Sequence, residues 1–489
     1  MSRNSPGIVP VVILACSATS APPSYRPDVN PGLNPLRDKG QITDERVSDL
    51  PLSTYRTLLL RFAATRKADG WRVAIGKTCA FVARRALGRV PGTLGAFRVA
   101  GAGRGRPYLG GVWATLAQQD AFHIPKAPVL QKNRRQIALI GDLNLPQCRK
   151  YRVEQAAHFW HAQGVDLDYA HYLDVPRAVR LMQDATHLMC YRLAPGRDVS
   201  MYLYEARRLG LPVIYDIDDP LFSIPAYETY GNMAALDPAL RAQFIAQAPG
   251  YLDMMNAADL ITVSTPTLAR HAAQLSPRPI MTRRNYADEA TLFAGNRALH
   301  STIRGQGASF RVAFASGSRG HEADFATIAA PVSEFLAQDP QRRLMILGHF
   351  DKTLLPDALL PQTEWHDFTS YEGYLYLLAT ADCAVMPLSD DLFNRCKSAV
   401  RAIDAACVAL PVIAPPTGDF PAFIKDGETG LVAADDAAWL AGLNRLAADR
   451  EFTCKMGDNA RNRVEIDWTV TGRAPAHIAD RALLERVLA

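Results

Sequence analysis

From Gln136 onward, short apolar runs alternate with longer stretches of helical periodicity. The runs Ile137–Ile140, Val165–Tyr169, His187–Tyr191, Pro212–Tyr215, Leu260–Val263 and Ile280–Thr282 read as strands. Between them Tyr151–Gln163, Val199–Leu209, Ala239–Ala257 and Thr267–Leu275 repeat apolar residues at helical spacing. A second series starts at Phe310. Its strands fit Arg311–Ala315, Leu344–Leu347, Thr363–His366, Cys383–Met386, Pro411–Ile413 and Gly430–Val432, and its helices Asp324–Gln338, Tyr371–Ala381, Lys397–Val408 and Ala437–Asp449. Apolar strands alternating with helices predict parallel sheets covered on both faces. The expected fold class is therefore α/β, with two Rossmann-like parallel-sheet domains facing a cleft. Ligands of such sheets bind beyond the carboxyl ends of the strands.

The first 135 residues have a different texture. Residues 1–50 are rich in Pro, Ser and Asn and read as disordered. Residues 52–89 carry helical periodicity with interleaved Arg and Lys, and Gly92 to Gly111 is a Gly/Arg-rich linker. The organisation expected is a basic extension over 1–135, disordered then helical; a first Rossmann-like domain over 136–305; a second over 306–465; and a C-terminal helix over 466–489 that returns to the first domain.

Charge sharpens this division. The net charge of +5 combines 21 Lys and Arg against 7 Asp and Glu in residues 1–135 with 33 against 42 in the remainder. The basic surplus thus belongs to the extension, and no nucleic-acid partner is expected for the body. A basic amphipathic segment at 52–89 suits the face of an anionic membrane, or a pair of helices packed on the body. No apolar run reaches the ~18 residues of a membrane span. Ile8–Cys16 faintly resembles a secretion signal but is broken by Pro10, and the eight cysteines form no C-x-x-C pair. A cytoplasmic protein with reduced thiols, peripheral at the inner membrane face at most, is the expectation.

The densest chemistry lies in Asn394-Arg395-Cys396-Lys397-Ser398-Ala399-Val400-Arg401-Ala402-Ile403-Asp404. Drawn as one helix, Asn394, Lys397, Arg401 and Asp404 fall on one stripe, with Val400 and Ile403 on another. Two cations and a carboxylate beside a buried strand suit a ligand with phosphates at one end and hydroxyls at the other; a solvated amphipathic helix is the alternative. The first strand of the second series ends in Ser316-Gly317-Ser318-Arg319-Gly320-His321. Gly317, Ser318 and Arg319 there could bring backbone N–H groups and a cation to a phosphate, or form a plain tight turn. His321 ends this loop and either meets substrate or caps the following helix.

In the first series, Asp142 ends the first strand, and Arg149, Tyr151 and Arg152 lead into the first helix. By position alone this reads as a helix start with surface cations. Tyr215-Asp216-Ile217-Asp218-Asp219-Pro220 places three carboxylates at a strand end. They could line the cleft, cap a loop or hold a divalent metal. Cleft-lining is preferred, with Asp218 as a catalytic candidate and no metal.

The strand Pro411-Val412-Ile413-Ala414, the loop through Gly418 and the run Asp426-Gly427-Glu428-Thr429-Gly430-Leu431-Val432 resemble the C-terminal domain of family 4-like glycosyltransferases of the GT-B fold. The Asn394-x-x-Lys397-Ser398 stretch is similar to a bacterial branch with the signature N-x-x-K-S-x-x-K-x-x-E, often found in surface-polysaccharide synthesis. Arg401 stands at its second lysine and Asp404 at its glutamate. Asp-x-Asp-Asp-Pro also recurs in that branch, lining the cleft. A comparable Tyr-Arg pair follows its first strand and faces the cleft, which implies acceptor or phosphate contact for Asp142, Arg149, Tyr151 and Arg152 as the alternative to surface cations. The resemblance covers roughly residues 136–470. It implies a nucleotide-sugar donor bound mainly by residues 310–432 and a glycan or lipid-linked acceptor bound mainly by 136–300. It also implies no cofactor, retention of anomeric configuration, Lys397 as a catalytic residue at the leaving diphosphate, and Asp404 at the donor ribose. Cys396 replaces the first of the two carboxylates usual in the family. The alternatives are a non-catalytic nucleotide-sugar binder and a metal-dependent phosphatase using Asp216 and Asp218.

Overall fold

A computed structural model describes residues 134–302, 309–318, 320–470 and 477–488, with Trp71, Ile75 and Thr78 as three further positions. Those three are helical and exposed. The remaining expectations for the basic extension, and that for Arg319, fall outside the described residues.

The first sheet holds β1 (Gln136–Gly141), β2 (Asp166–His171), β3 (His187–Tyr191), β4 (Val213–Ile217), β5 (Leu260–Val263) and β6 (Ile280–Thr282). All pair in parallel, in the order β2-β1-β3-β4-β5-β6. The second holds β7 (Phe310–Ser316), β8 (Arg342–Gly348), β9 (Thr363–His366), β10 (Cys383–Val385), β11 (Val412–Ala414) and β12 (Leu431–Val432), parallel in the order β12-β11-β10-β7-β8-β9. Each expected strand is present. The physical reason is two-sided burial. In β1, Ala138 and Ile140 enter one core cluster while Ile137 and Leu139 enter the other. In β7, Ala313 faces one cluster while Val312 and Phe314 face the other. Strands buried on both faces must be apolar at every position, and that pattern survives in the sequence.

The helices depart from expectation in several places. The helix expected over Asp324–Gln338 is two, Glu322–Ala326 and Ala329–Ala337. Pro331 lacks the N–H that a continuous helix would donate to the Thr327 carbonyl, and Thr327 Oγ1 donates to Asp324 O at 2.7 Å. A helix over Arg450–Asp467 escaped the pattern because it is largely polar; Met456, Ala460 and Val464 carry its buried face. The helix Glu289–Ser301 packs on Tyr371–Ala379 and Val400–Cys407 of the second half. A Cβ at Gly295 would collide with the Cys407 carbonyl, so glycine sets the closeness of that packing.

This last helix moves the domain boundary. The chain leaves the first half between Tyr286, in the first core, and Ala287, in the second, rather than near residue 305. It returns after Trp468, which packs in the second core, to Ile478, Leu483 and Val487 against the first sheet. The two crossings run side by side, with Ala287 N donating to Trp468 O at 2.9 Å. No described helix is long and apolar enough to cross a membrane.

Candidate functional site

Each sheet order has one point where the chain turns from building one edge to building the other. In the first sheet this lies between β1 and β3, and in the second between β7 and β10. Crevices beyond the carboxyl ends of strands form at such switch points. The loops there are Asp142–Leu145 and Arg192 in the first half, and Gly317–His321 and the segment after Val385 in the second.

The segment after β10 is not the single helix expected from its stripe. Leu392–Arg395 makes one turn, Cys396–Ala399 is non-helical, and helix resumes over Val400–Cys407. The carbonyls that a continuous helix would use are taken by other elements. Cys396 O accepts from Thr265 Oγ1 at 2.9 Å and Lys397 O accepts from Asp419 N at 3.0 Å. Gly418, at φ +67, permits this approach, since a Cβ there would lie 2.8 Å from Lys397 O. Lys397 therefore sits in a link rather than on a helix face.

Its ammonium donates to Tyr230 OH at 2.9 Å and lies 4.8 Å from the Tyr230 ring centroid. Tyr230 in turn stacks on Phe393, with centroids 4.1 Å apart. Burial acts to lower the Lys397 pKa, but Tyr230 and Asp324 raise it, so the cation persists. Arg401 reaches Pro387 O at 3.4 Å through Nη2, while Nη1 is buried without a partner among the described residues. Ser398 Oγ accepts from Asn285 Nδ2 at 2.9 Å, and the fully buried Asn394 donates to Asp391 at 2.8 Å.

The loop after β7 adds His321. It occupies the position before the short helix Glu322–Ala326 but makes no side-chain cap; its Nδ1 lies 2.9 Å from Asp324 Oδ2. Asp324 is fully buried and also accepts from Asn232 Nδ2 at 2.8 Å, Ser389 N at 3.2 Å and Asn394 Nδ2 at 3.3 Å. Burial pushes its pKa up, yet the His321 bond and the Lys397 charge hold it well below the usual carboxylate range. Gly317 is exposed with open space around it, and Ser318 O accepts from Ser316 Oγ at 2.8 Å. The tight backbone approach is instead at Gly348, φ +95, whose Cβ would collide with Ser316 O.

Opposite stand the first-half carboxylates. Asp218 Oδ1 lies 3.5 Å and Asp219 Oδ2 3.6 Å from Arg192 Nη1. Arg192 takes a left-handed backbone, φ 51, immediately beyond β3. Burial and the Asp218 charge push Asp219 up to about 6, while Arg192 and Lys397 pull it down.

Several expected residues are placed elsewhere. Arg152 and Asp216, expected in the cleft, are both fully buried. Arg152 Nε and Nη2 donate to Asp216 at 2.9 and 2.5 Å, Nη1 donates to Arg283 O and Asn285 Oδ1, and Thr262 Oγ1 completes Asp216 at 2.6 Å. Asp216 is thus spent on internal bonds and is not available as a phosphatase nucleophile. Among the described residues no three His, Cys, Asp or Glu converge on a common cation position. Tyr151 crosses between the halves to Asp404. Asp142 bonds Asn144, and Arg149 bonds Tyr169 and Glu154; among the described residues no contact brings either to the Lys397 group.

The sequence reading missed Asp324, Tyr230, Asn232 and Arg192. Asp324 was findable, standing three residues after His321 on a helical turn. Tyr230 stands just before the short 3-10 helix Gly231–Ala235 and Asn232 lies within it, an element too short to leave a periodic pattern.

Residues 313–449 match the family model described as Glycosyl transferases group 1. A curated relative, D-inositol 3-phosphate glycosyltransferase of Corynebacterium efficiens, is 26% identical over 155 residues, covering 29% of this chain and 35% of the relative. The chain thus spans about a third of that relative's length. Among solved structures, a glycosyltransferase from Rickettsia africae is similar at 10% identity over 73% of this chain and 99% of that one, TM-score 0.49. Sucrose-phosphate synthase from Thermosynechococcus elongatus gives 16%, 68% and 94%, TM-score 0.47. Anabaena HepE in complex with UDP-glucose gives 12%, 72% and 98%, TM-score 0.47. The matched segment, residues 313–449, is the one that brings His321, Asp324, Lys397 and Arg401 to the second switch point, and it is similar to glycosyl transferases group 1.

Proposed function

We propose that the protein is a glycosyltransferase that moves a sugar from a nucleotide-sugar donor, held mainly by the second half, to a glycan or lipid-linked acceptor, held mainly by the first. The observation that carries this reading is the unspent donor capacity at the second switch point. Lys397 is charged and Arg401 Nη1 is buried without a partner among the described residues, which suits a diphosphate. As the glycosidic bond to the nucleotide breaks, negative charge grows on the leaving diphosphate. Lys397 and Arg401 are fixed before that moment, and a preorganised donor of this kind stabilises the transition state by roughly 3 kcal/mol. Asp218 and Asp219 offer acceptors for sugar hydroxyls across the crevice, and closure excludes water, favouring transfer over hydrolysis.

The finer reading follows the family 4-like branch: transfer without a metal, with retention of configuration, in surface-polysaccharide synthesis. We place the protein in the cytoplasm, in peripheral contact with the inner membrane face through residues 52–89. The test is a thermal-shift panel of UDP-, GDP-, ADP- and TDP-sugars with and without chelator. A ligand at a hundred times its dissociation constant adds roughly 2.7 kcal/mol of stability. A shift by one nucleotide family, insensitive to chelator and lost in Lys397→Ala, is expected. Absence of any shift rejects the donor assignment, and a shift that needs metal rejects metal independence. Nucleotide binding without release of nucleoside diphosphate in the presence of acceptors marks a non-catalytic binder.

A further inference from the structure

We propose that Asp324 is a positioning residue for His321: by accepting the ring Nδ1–H it presents Nε2 to the crevice as a hydrogen-bond acceptor for a hydroxyl of the donor sugar. The sugar part of this rests on the nucleotide-sugar reading above; the orientation of the ring does not.

The argument starts from Asp324. Its carboxylate is fully buried, receives three N–H bonds besides the imidazole, and is kept ionised. An ionised carboxylate only accepts, so the hydrogen in the 2.9 Å contact belongs to His321 Nδ1. Burial lowers the His321 pKa, and the Lys397 and Arg401 charges add to this against the opposing pull of Asp324. The ring is therefore neutral near pH 7 and carries its one hydrogen on Nδ1. Nε2 is left with a lone pair and no partner among the described residues, on a side chain that is 17% exposed.

Position decides what such an acceptor meets. His321 closes the loop after β7, at the same switch point as Lys397 and Arg401, and both cations act on it electrostatically. A diphosphate held by those cations puts the attached sugar beside the ring. A neutral acceptor there takes a hydroxyl hydrogen; an imidazolium would instead offer a hydrogen to the phosphate. Asn232 belongs to the first half, so the Asp324 carboxylate is fully dressed only while the halves are together. Ring orientation is thereby tied to closure of the crevice.

Two substitutions separate this role from a structural one. His321→Asn keeps a donor near the Nδ1 position but has nothing at Nε2, whereas His321→Gln places an amide oxygen near Nε2 and cannot titrate. The probes are UDP-glucose, GDP-mannose, ADP-glucose and TDP-glucose, each titrated against its own nucleoside diphosphate. His321→Asn is expected to weaken the nucleotide sugar about tenfold, the loss of one hydrogen bond, and to leave the nucleoside diphosphate unchanged. His321→Gln is expected to restore most of that affinity. Equal binding of nucleotide sugar by wild type and His321→Asn overturns the hydroxyl role. The tautomer is read without ligand from the imidazole 15N shifts. An Nδ1–H ring in wild type that changes in Asp324→Asn supports the positioning role, and an Nε2–H ring in wild type overturns it. If neither nucleotide sugar nor nucleoside diphosphate binds wild type, the donor reading falls and takes the hydroxyl role with it, while the tautomer still decides for or against Asp324.

Discussion

The Tyr151 hydroxyl lies 2.6 Å from Asp404 Oδ2, so one buried hydrogen bond joins the first half of the chain to the second. Tyr371 OH takes the other oxygen, also at 2.6 Å. Next to Tyr151, Lys150 donates to Thr291 Oγ1 at 2.8 Å and lies 4.2 Å from the Tyr371 ring centroid. The π-helical turn Arg149–Glu154 makes this possible, sending Lys150 and Tyr151 across the crevice while Arg152 enters the first core.

Removing that bond leaves a buried carboxylate with one donor fewer. Tyr151→Phe is expected to lower stability by about 1–3 kcal/mol in denaturant unfolding. A double-mutant cycle with Asp404→Asn should return a coupling of similar size. Additive losses would mean that the contact carries no energy of its own.

Stability should depend on pH through the same carboxylate. Burial raises Asp404 to about 6 from 3.8, with the two phenols pulling partly back. The folded protein therefore holds this proton more tightly than the unfolded chain. The stabilisation is complete below about pH 4 and disappears as pH rises through 6, with a ceiling of about 3 kcal/mol. The stability of wild type relative to Asp404→Asn should accordingly grow between pH 7 and pH 5. A difference independent of pH would contradict the shift.

On the proposed donor role, Lys397 acts in the crevice rather than in the core. Lys397→Ala should reduce turnover by about 10²–10³-fold and change unfolding free energy by about 1 kcal/mol or less. Unchanged kinetics would remove Lys397 from the donor site.

Arg152 should behave in the opposite way. Arg152→Ala strips buried Asp216 of its two-pronged partner, leaving Thr262 and the more distant Arg283, 3.7 Å away, and is expected to cost about 3–5 kcal/mol. Normal stability with lost activity would return Arg152 to the cleft lining.

A tight approach of two loops gives a further test. Gly348→Ala must relieve both a φ of +95 and the collision with Ser316 O. Lower thermal stability together with weaker nucleotide-sugar binding is expected, because the shifted loop carries His321. Wild-type behaviour would show that the Ser316–His321 loop has slack.

The two-sheet architecture was legible in the residue order, because β1 and β7 are buried on both faces and must be apolar at successive positions. The residue order also put Lys397 and His321, the residues of the candidate site, after strands β10 and β7, which flank a switch point. It could not determine that the Asn394–Asp404 stripe is broken, since the carbonyls of Cys396 and Lys397 are claimed by Thr265 and Asp419, residues distant in the chain. Nor could it tell Arg152 from Tyr151, adjacent residues of which one is sealed in a core and the other spans the crevice. Periodicity records which face of an element is dry, a property repeated every few residues. Which polar groups meet inside the fold depends on single long-range contacts, and Asn232 on Asp324 or Tyr230 on Lys397 leaves no repeat in the sequence to read.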